Sequence, residues 1–330
     1  MDKLLIIGGT NFIGRNLVEK LVRLNQYEIT IFTRGLTNPN LFPLVHKIRG
    51  DRNTNDIQLI GSKKWDYIVD LSCYFPNSIA NLLKTINQNI KRYIFISTCS
   101  VYDNQIDKSF LRGEDSIIHD CTQAECTDTS AATYGKRKAE CERRLQKSKL
   151  PFFIIRPSLV YGRYDNTDRF YYWLYQVKKQ KEILIPNDGA QPFSVTFVDD
   201  LISCIIQMLK KDGGSDVYNV TTTPTLSISK IVDTASKILD RNPAPHYAKS
   251  EFLHKEQIKE WVDLPLWLDC DYFTYANSKL TRNLNFKVTD FEVSLKLAID
   301  YYDQLNWPVP SYGLSDQRKM HLISTLNNTK

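Results

Sequence analysis

A glycine-rich turn near the N-terminus constrains the fold of this chain more than any other feature. Residues 4–7 (LLII) are a short apolar run typical of a buried strand, and residues 8–14 (GGTNFIG) follow it directly. Apolar residues then recur near helical spacing as far as Leu24. Glycines between a first strand and a first helix let the backbone turn tightly and approach a pyrophosphate at the helix N-terminus. The pattern therefore predicts a dinucleotide-binding βα unit.

Short apolar runs and helix-like segments continue to alternate through the first half of the chain, which is typical of a parallel α/β sheet. Strands are predicted at residues 4–7, 28–32, 45–49, 66–71, 92–97 and 151–156, with shorter ones at 183–185 and 217–220. Helices are predicted at 11–24, from Pro76 onward, and at 134–147, 170–179, 199–210, 227–239 and 291–302. The polar stretch 103–129 is expected to be an irregular loop, and its length favours a functional or mobile segment.

At 330 residues, the chain is long enough for one large domain or two smaller ones. We expect an α/β fold with a doubly wound parallel Rossmann sheet and a smaller, mixed α/β C-terminal lobe. The NAD(P)-binding Rossmann domain is assigned to residues 1–160. Residues 161–330 are expected to form mainly a substrate-binding lobe, with segments at about 190–220 returning to the Rossmann core.

Charge and cysteine content exclude several classes of function. The 43 Lys and Arg residues exceed the 37 Asp and Glu residues by only 6, too small an excess to indicate a nucleic-acid partner. Seven cysteines without a C-x-x-C pair favour reduced thiols over a disulfide framework or a zinc site, so no metal is expected. No apolar run approaches the roughly 18 residues of a membrane span, and no secretory signal opens the sequence. We expect a cytoplasmic protein without a membrane partner.

The end of the second strand bears on the choice of dinucleotide. An acidic residue at this point receives the ribose 2′-hydroxyl of NAD, but the strand ends in Phe32, Thr33 and Arg34. A guanidinium group is suited to clamp the 2′-phosphate of NADP. The alternative is a solvated loop arginine. The sequence therefore favours NADP over NAD as the cofactor.

Tyr134 and Lys138 are four residues apart in a predicted helix and so lie on one face of it. A free tyrosine, with a pKa of about 10, is a poor proton donor or acceptor at neutral pH. One ammonium group about 4 Å away offers an interaction of the order needed to bring that pKa near neutrality. The pair alone is a common chance match, but together with the glycine turn and with Ser97 and Thr98 at the end of the fifth strand it indicates a functional site.

These motifs resemble those of the short-chain dehydrogenase/reductase superfamily, in its extended NAD(P)-dependent epimerase/dehydratase branch, over nearly the whole chain. They comprise the glycine turn, Gly50 with Asp51, residues 97–102 (STCSVY), Tyr134 with Lys138, Arg156 with Pro157, and residues 197–201 (FVDDL). Residues 164–170, 264–268 and 313–315 are similar to a bacterial subgroup of epimerases and reductases. The resemblance implies an NAD(P)-dependent enzyme.

It also implies roles for individual residues. Thr98 would polarise the reacting oxygen, Tyr134 would exchange the proton, and Lys138 would hold the nicotinamide ribose and lower the pKa of the tyrosine. Asp51 would lie at the adenine end, and the backbone after Pro157 would meet the carboxamide. The expected cofactor-binding residues are Gly8, Thr10, Asn11, Phe12, Ile13, Gly14, Arg34, Asp51, Arg52, Leu71, Ser72, Pro157 and Ser158.

Two positions narrow the chemistry that the resemblance implies. Sugar 4,6-dehydratases of this family carry an Asp-Glu pair directly after the catalytic threonine, where this chain has Cys99 and Ser100. Enzymes that also epimerise at C3 and C5 use a cysteine at the position of Ser100. Cys99 is one residue away and is more simply a buried small residue. What remains is 4-epimerisation or simple carbonyl/alcohol redox chemistry.

Three functions stay open at this point. The first is an oxidoreductase or epimerase that moves a hydride between nicotinamide and a carbinol or carbonyl carbon of a nucleotide-sugar-like or small polar substrate. The second is a nucleotide-sugar 4-epimerase with retained NAD. The third is a non-catalytic nucleotide- or RNA-binding protein on the same fold, which the intact threonine, tyrosine and lysine argue against.

Contacts to a small-molecule substrate are expected from Ser100, Tyr102, Arg163, Asp168 and Arg169. The last three, with Tyr164, follow the sixth strand, where they either grip an anionic or sugar group or form structural salt bridges. Three tryptophans of the C-terminal half, at 261, 267 and 307, are expected to pack in the lobe. The helices that begin near Pro76 and Tyr134 offer faces for a homodimer, although their apolar stripes fit the sheet equally well.

Overall fold

The computed structural model describes residues 1–86, 89–211, 213–268 and 270–328. The strands are β1 Asp2–Ile7, β2 Tyr27–Thr33, β3 His46–Arg49, β4 Tyr67–Asp70, β5 Arg92–Ile96, β6 Phe152–Pro157, β7 Leu159–Tyr161, β8 Glu182–Pro186, β9 Phe193–Phe197, β10 Asp216–Val220, β11 Thr223–Leu226 and β12 Ala244–Ala248. The helices are α1 Phe12–Leu24, α2 Pro76–Thr85, α3 Tyr134–Gln146, α4 Arg169–Lys179, α5 Val198–Lys210, α6 Ile228–Leu239, α7 Ser250–Lys255, α8 Ser278–Asn283, α9 Phe291–Gln304 and α10 Asp316–Asn328. Short 3₁₀ helices span Asn55–Ile60, Cys99–Val101 and Ala131–Thr133.

Within these residues, seven strands form a parallel central sheet in the order β10-β6-β5-β4-β1-β2-β3. The strand order reverses between β1 and β4, which opens a crevice at the carboxyl ends of those two strands. Ligands of doubly wound sheets bind at this position. The predicted Rossmann fold is confirmed.

Side chains alternate between the two faces of the sheet along β1, which explains why its sequence is apolar from Leu4 to Ile7. Leu4 and Ile6 pack with residues of α1 and α5 on one face of the sheet. Leu5 and Ile7 pack with residues of α2 and α3 on the other face. Both faces of a parallel sheet are covered by helices, so every position of a central strand is buried and the strand reads as a continuous hydrophobic run.

A second apolar cluster defines the C-terminal lobe. It joins residues of β7, β8 and β9 with residues of α4, α6, α9 and α10. In this lobe β9 lies between β7 and β11, and β8 pairs with β12. Of the segments expected to return to the Rossmann core, β10 adds a strand beside β6, and α5 packs with α1. By contrast, β9 pairs within the lobe.

The predicted helices and longer strands lie within a few residues of their expected bounds. The sequence patterns miss β7, β9, β11, β12, α7, α8 and α10. Pairing rather than local pattern produces several of these elements. The strand β12, for example, contains Pro245 and exposed side chains, and it forms by parallel pairing with β8.

The stretch 103–129 is irregular, as expected, but buried contacts hold it in place. The side chain of Arg112 is 1% exposed. Its Nε and Nη2 atoms donate to the carbonyl of Asp107 at 3.0 and 2.9 Å, and its Nη1 donates to that of Tyr272 at 2.9 Å. This segment is therefore tied to the C-terminal lobe. Among the described residues, none of the helices is both long enough and apolar enough to cross a membrane.

Candidate active site

The glycine turn joins β1 to α1 through backbone that L side chains rarely adopt. Gly8 and Gly9 have φ angles of 106° and 112°. A Cβ atom at Gly14 would lie 2.6 Å from the backbone N and Cα of Gly9, so the first turn of α1 can approach the loop only because residue 14 is glycine. The amide of Gly8 donates to the carbonyl of Phe32 at 2.9 Å, which fixes the turn to β2. The helix N-terminus thus faces the crevice in the sheet.

A cleft of about 580 Å³ opens in front of this turn. It is lined by residues 7–14, by Phe32, Thr33, Arg34, Leu36 and Thr37 after β2, by residues 50–53 after β3, by Leu71, Ser72 and Tyr74 after β4, and by Asn166 and Thr167. The expected cofactor residues from Gly8 to Ser72 in the sequence therefore meet in one place. Glycine backbone and a helix N-terminus fit the diphosphate of a nicotinamide dinucleotide. The nicotinamide of such a cofactor would supply hydride transfer when bound.

Two expected cofactor residues have other partners. Arg52 is 6% exposed and forms a two-point ion pair with Asp70, in which Nη2 donates at 3.0 Å. Its guanidinium group therefore neutralises the buried carboxylate that ends β4. Ser158 donates its amide to Thr196 Oγ1 at 2.9 Å and its hydroxyl to the Ser194 carbonyl at 2.7 Å. These bonds tie the end of β6 to β9, and neither Pro157 nor Ser158 lines the cleft.

Thr98 follows β5 and Tyr134 begins α3, and a hydrogen bond joins their hydroxyl groups. The close approach of α3 depends on Gly135, where a Cβ atom would lie 2.0 Å from the carbonyl oxygen of Ser100. The Oγ of Ser100 accepts from Thr98 Oγ1 at 3.2 Å. The expected catalytic residues Thr98 and Tyr134 are thus brought together with the expected substrate residue Ser100.

Lys138 is 2% exposed, one turn of α3 after Tyr134. Its Nζ donates to the carbonyls of Cys73 at 2.9 Å and Ile96 at 2.6 Å. Burial raises the pKa of Tyr134 above its ordinary value, opposed by the hydrogen bond with Thr98 and by the charge of Arg137. The lowering of this pKa by Lys138 stays a prediction, and in the structure two carbonyl oxygens bind the ammonium group.

Tyr74 is a site residue that the sequence patterns miss. Its ring lies 6.2 Å from that of Tyr134, and Lys138 Nζ lies 5.8 Å from its centroid. Its side chain is 49% exposed and lines the cleft. Tyr74 lies four residues after Asp70, just beyond the carboxyl end of β4. This position in the sequence could have predicted that it lies at the crevice.

Beneath these residues lies a buried charged network. Glu142 is fully buried and accepts from Arg156 Nη2 at 2.6 Å and from the hydroxyl of Ser97. Arg156 Nη1 also donates to the Tyr102 hydroxyl at 2.9 Å, which in turn donates to Asn219 Oδ1 at 2.6 Å. The network fixes α3, β6 and β10 to Ser97, which follows β5 and directly precedes Thr98. The sequence could have indicated that Glu142 belongs to the site, because it lies four residues after Lys138 and eight after Tyr134, on the same helical face.

This network corrects the expected substrate role of Tyr102. Its side chain is 1% exposed, stacks on Tyr275 and uses its hydroxyl within the protein. Cys99 is fully buried as expected, and burial raises the pKa of its thiol well above the ordinary value. A neutral buried thiol is not poised for acid/base chemistry.

Of the charged residues after β7 that were expected to contact a substrate, Arg163 and Asp168 have partners within the protein, and Arg169 has none among the described residues. Arg163 pairs with Glu19 at 3.2 Å and donates to Asn16 Oδ1, so it ties this loop to α1 rather than to a substrate. Asp168 accepts from the amide and hydroxyl of Ser311 at 2.9 and 2.8 Å. Its expected substrate role is therefore replaced by a contact to the C-terminal segment. Arg169 has no ion-pair or hydrogen-bond partner among the described residues.

Asp165, in the same loop, gives a pH-dependent test of the structure. Burial raises the pKa of its carboxyl group from 3.8 to about 6, although Thr167 donates its amide and hydroxyl to Oδ1 at 2.9 and 2.8 Å. A raised pKa means that this group favours folding when protonated, and that this contribution is lost as pH rises from about 4 through about 6. We expect Asp165→Asn, which keeps the accepting oxygen, to stabilise the protein above pH 6 by up to about 3 kcal/mol.

Thermal unfolding across the acidic-to-neutral range measures this effect. The difference between Asp165→Asn and the unmodified protein should shrink toward zero as pH falls below the ordinary aspartate value. The exposed Asp188, which accepts from the amide of Ala190 at 2.8 Å, provides the matched control in Asp188→Asn. A pH-independent difference at Asp165 would contradict the assignment.

A doubly wound sheet, a glycine turn at its crevice and adjoining threonine, tyrosine and lysine side chains define a dinucleotide-dependent enzyme of the short-chain dehydrogenase/reductase type. The family model described as NAD dependent epimerase/dehydratase family matches residues 4–221. The chain belongs to this family, and its predicted membership of the extended branch is confirmed.

Curated relatives are distant. The chloroplast stem-loop binding protein of 41 kDa b from Arabidopsis thaliana is 23% identical over 269 residues, covering 76% of this chain and 67% of the plant protein. The dTDP-D-glucose 4,6-dehydratase of Dictyostelium discoideum is 26% identical over 273 residues, covering 73% of this chain. The match spans only 62% of that dehydratase, and a match to its human counterpart spans 48% of the human protein.

Solved structures share the fold over nearly the whole chain. The UDP-glucose 4-epimerase of Thermotoga maritima superposes with a TM-score of 0.73 at 19% identity, covering 92% of this chain and 99% of the epimerase. The UDP-glucuronic acid 4-epimerase of Bacillus cereus, solved in complex with NAD, has a TM-score of 0.70 at 21% identity and covers 93% and 99%. At these identities the likeness concerns the fold.

Proposed function

We propose that this protein is an NADP-preferring oxidoreductase or epimerase that acts on a carbinol or carbonyl carbon of a nucleotide-sugar-like substrate. One observation carries the proposal: a hydrogen bond joins the hydroxyl groups of Thr98 and Tyr134, one helical turn before Lys138, and the Tyr134 ring lies 6.2 Å from that of Tyr74 in the dinucleotide cleft. The epimerases and dehydratases among the relatives support a nucleotide-sugar substrate.

Each side chain of the site has a different role in such a reaction. The Tyr134 hydroxyl exchanges a proton with the substrate oxygen, and the Thr98 hydroxyl, which is bonded to it, orients that oxygen. The Lys138 ammonium group donates to two carbonyls and has a third proton to offer toward the cleft. The ring of Tyr74 lines the cleft and lies 6.2 Å from that of Tyr134, so it connects the cleft to these side chains. We also retain Leu71, Ser72 and Asp51 as cofactor contacts, because all three line the cleft.

The preference for NADP rests on Arg34. Its side chain is exposed at the end of β2 and lines the cleft, and the described residues give it no acidic partner. The other basic lining residue, Arg52, is neutralised by Asp70. Arg34 is therefore the group that is available to bind a 2′-phosphate.

Replacing Arg34 tests this preference. We expect Arg34→Ala to weaken NADPH binding about ten- to a hundredfold, because a charge-assisted hydrogen bond contributes roughly 1.5–3 kcal/mol. NADH binding should not change. Calorimetry with each dinucleotide measures both affinities, and Arg23→Ala, at the exposed far end of α1, is the control. Equal losses for NADPH and NADH would contradict the phosphate-binding role.

The nicotinamide released from the purified, heat-denatured protein distinguishes a reductase from an epimerase. A site that exchanges NADPH freely supports a reductase. Stoichiometric retained NAD supports a 4-epimerase, which oxidises and re-reduces one carbon with the same cofactor, and counts against the role of Arg34. Failure to bind any dinucleotide would overturn the proposed function.

The name of the plant relative keeps RNA binding as a second candidate. The basic residues of α3 argue against it, because several already have partners within the protein. Lys136 pairs with Glu125, and both Arg143 and Arg144 pair with Glu140. Arg137 is 4% exposed and donates to backbone carbonyls. These side chains are not arranged to follow a phosphate backbone.

A cytoplasmic location and a homodimer stay predictions. The helices α2 and α3 lie side by side against the sheet and bury one face each there. Their outer faces are the surface where we expect a second subunit.

A further inference from the structure

We propose that Arg169, held against Trp261 and Tyr312, binds a carboxylate carried by the substrate close to its reacting hydroxyl group. This inference rests on the proposed function and names the class of substrate: an acidic sugar or a similar hydroxy acid. The site is separate from the dinucleotide cleft and is built from the start of α4 and two segments of the C-terminal lobe.

The first argument is the state of the guanidinium group. Arg169 Nε is buried and has no hydrogen-bond partner, and no carboxylate in the described part of the chain forms an ion pair with it. A buried donor without a partner is unfavourable, although the charge of Arg169 acts on the nearby buried carboxyl group of Asp165. Arg163 in the same loop is fully engaged with α1. Arg169 therefore still has a guanidinium donor that can bind a ligand, whereas the side chain of Arg163 is bonded within the protein.

The second argument is that the surroundings hold the side chain in one place. The guanidinium carbon lies 4.4 Å from the ring centroid of Trp261 and 5.7 Å from that of Tyr312. Contact with aromatic faces stabilises a planar cation and leaves its N–H edges free to donate in the plane. Such an edge matches the two oxygens of a carboxylate.

Hydrogen bonds fix the two backbone segments that carry these aromatic rings. Trp261 donates its amide to the carbonyl of Trp267 at 2.9 Å, and Trp173 Nε1 donates to the carbonyl of Pro265 at 2.7 Å. Ser311 donates to Asp168 at 2.8 and 2.9 Å, which places Tyr312 beside the start of α4. Trp261, which the sequence predicts to pack in the lobe, therefore also contacts Arg169.

The third argument places this site beside the catalytic residues. Asn166 and Thr167, three and two residues before Arg169 in the sequence, line the dinucleotide cleft. The charge of Arg169 is also near enough to the Tyr134 hydroxyl to lower its pKa. A bound anion therefore belongs to the same part of the substrate as the hydroxyl group that Tyr134 serves. A carboxylate on the reacting sugar meets that condition.

Calorimetry on the dinucleotide-loaded protein tests the proposal without relying on turnover. The probes are UDP-glucuronate, UDP-glucose and UDP, which differ in the sugar carboxylate and in the sugar itself. The unmodified protein should bind UDP-glucuronate about tenfold or more tightly than UDP-glucose, as expected for a charge-assisted pair. Arg169→Gln should abolish this preference and leave UDP affinity unchanged, and Arg169→Lys should restore part of it. Arg144→Gln, on the surface of α3, is the control.

Each result has one interpretation. Loss of the preference for UDP-glucuronate in Arg169→Gln supports the carboxylate site. An equal loss for all three probes assigns Arg169 to the diphosphate instead and overturns the proposal. The same is true if the unmodified protein shows no preference or binds neither sugar. Tight, selective binding without any hydride transfer would contradict the proposed function and leave the carboxylate site standing.

Discussion

Replacing Tyr134 with Phe is expected to lower the rate of hydride transfer by about 10²–10⁴-fold, the range that general acid–base catalysis contributes. The Tyr134 hydroxyl is hydrogen-bonded to that of Thr98, and Tyr134 lies one helical turn before Lys138. In the described site, Tyr134 is the residue that has both features. Removing the hydroxyl deletes the proton donor but keeps the ring that packs near Tyr74. Absorbance of the reduced nicotinamide measures the rate once a substrate has been found.

Measuring cofactor affinity shows whether Tyr134→Phe has lost the catalytic hydroxyl alone or has also disturbed the structure of the site. Dinucleotide binding to Tyr134→Phe should match that of the unmodified protein, because the cleft is lined mainly by other residues. Tyr164→Phe makes the same exchange in the loop after β7, where the ring stacks on Arg15, and should leave the rate unchanged. Undiminished turnover in Tyr134→Phe would refute the catalytic assignment.

Replacing Arg156 with Met is expected to have the largest effect on stability. Arg156 is 3% exposed, and its partner Glu142 is fully buried. Removing one partner of a buried ion pair leaves an uncompensated charge and costs about 3–5 kcal/mol. The network also includes Ser97 and Tyr102, so the variant loses several hydrogen bonds at once. Urea unfolding measures the free-energy difference.

A second variant tests whether the loss of stability comes from the Glu142 carboxylate that Arg156→Met leaves buried without a partner. Arg156→Met combined with Glu142→Leu removes both charges and should recover much of the lost stability, because apolar replacement of a buried pair is often nearly neutral. Lys296→Met breaks the exposed pair with Asp300 and should change stability by about 0–1 kcal/mol. If Arg156→Met cost no more than Lys296→Met, the buried network would not be a major source of stability.

Local patterns predicted the parts of the fold that local physics controls. The apolar runs that became β1, β4 and β5 are buried on both faces, so their composition alone identifies them. The glycine turn was equally clear, because only residues without a Cβ fit its backbone at Gly8 and Gly9. Short edge elements such as β12 carry no comparable pattern, since their pairing partner decides their conformation.

The site shows the same division. The i, i+4 spacing placed Tyr134 and Lys138 on one helical face, and strand ends placed Thr98 at the crevice. The roles of Arg163 and Arg169 were left undecided between substrate binding and structural salt bridges. Their partners lie far away in the chain: Asn16 is 147 residues from Arg163, whereas Trp261 holds Arg169 without neutralising it.

By itself, the sequence determined that this protein has a glycine turn between a buried strand and a helix, and that a tyrosine and a lysine share one face of a later helix. Both features depend on residues close together in the chain, whose geometry follows from steric limits and helical repeat. Only the tertiary structure decided which charges are paired. Arg52 and Arg156 meet buried carboxylates, whereas Arg34 faces the cleft and Arg169 lies against aromatic rings. Contacts between distant segments set the electrostatic state of each arginine, and that state indicates which of them are left to bind a ligand.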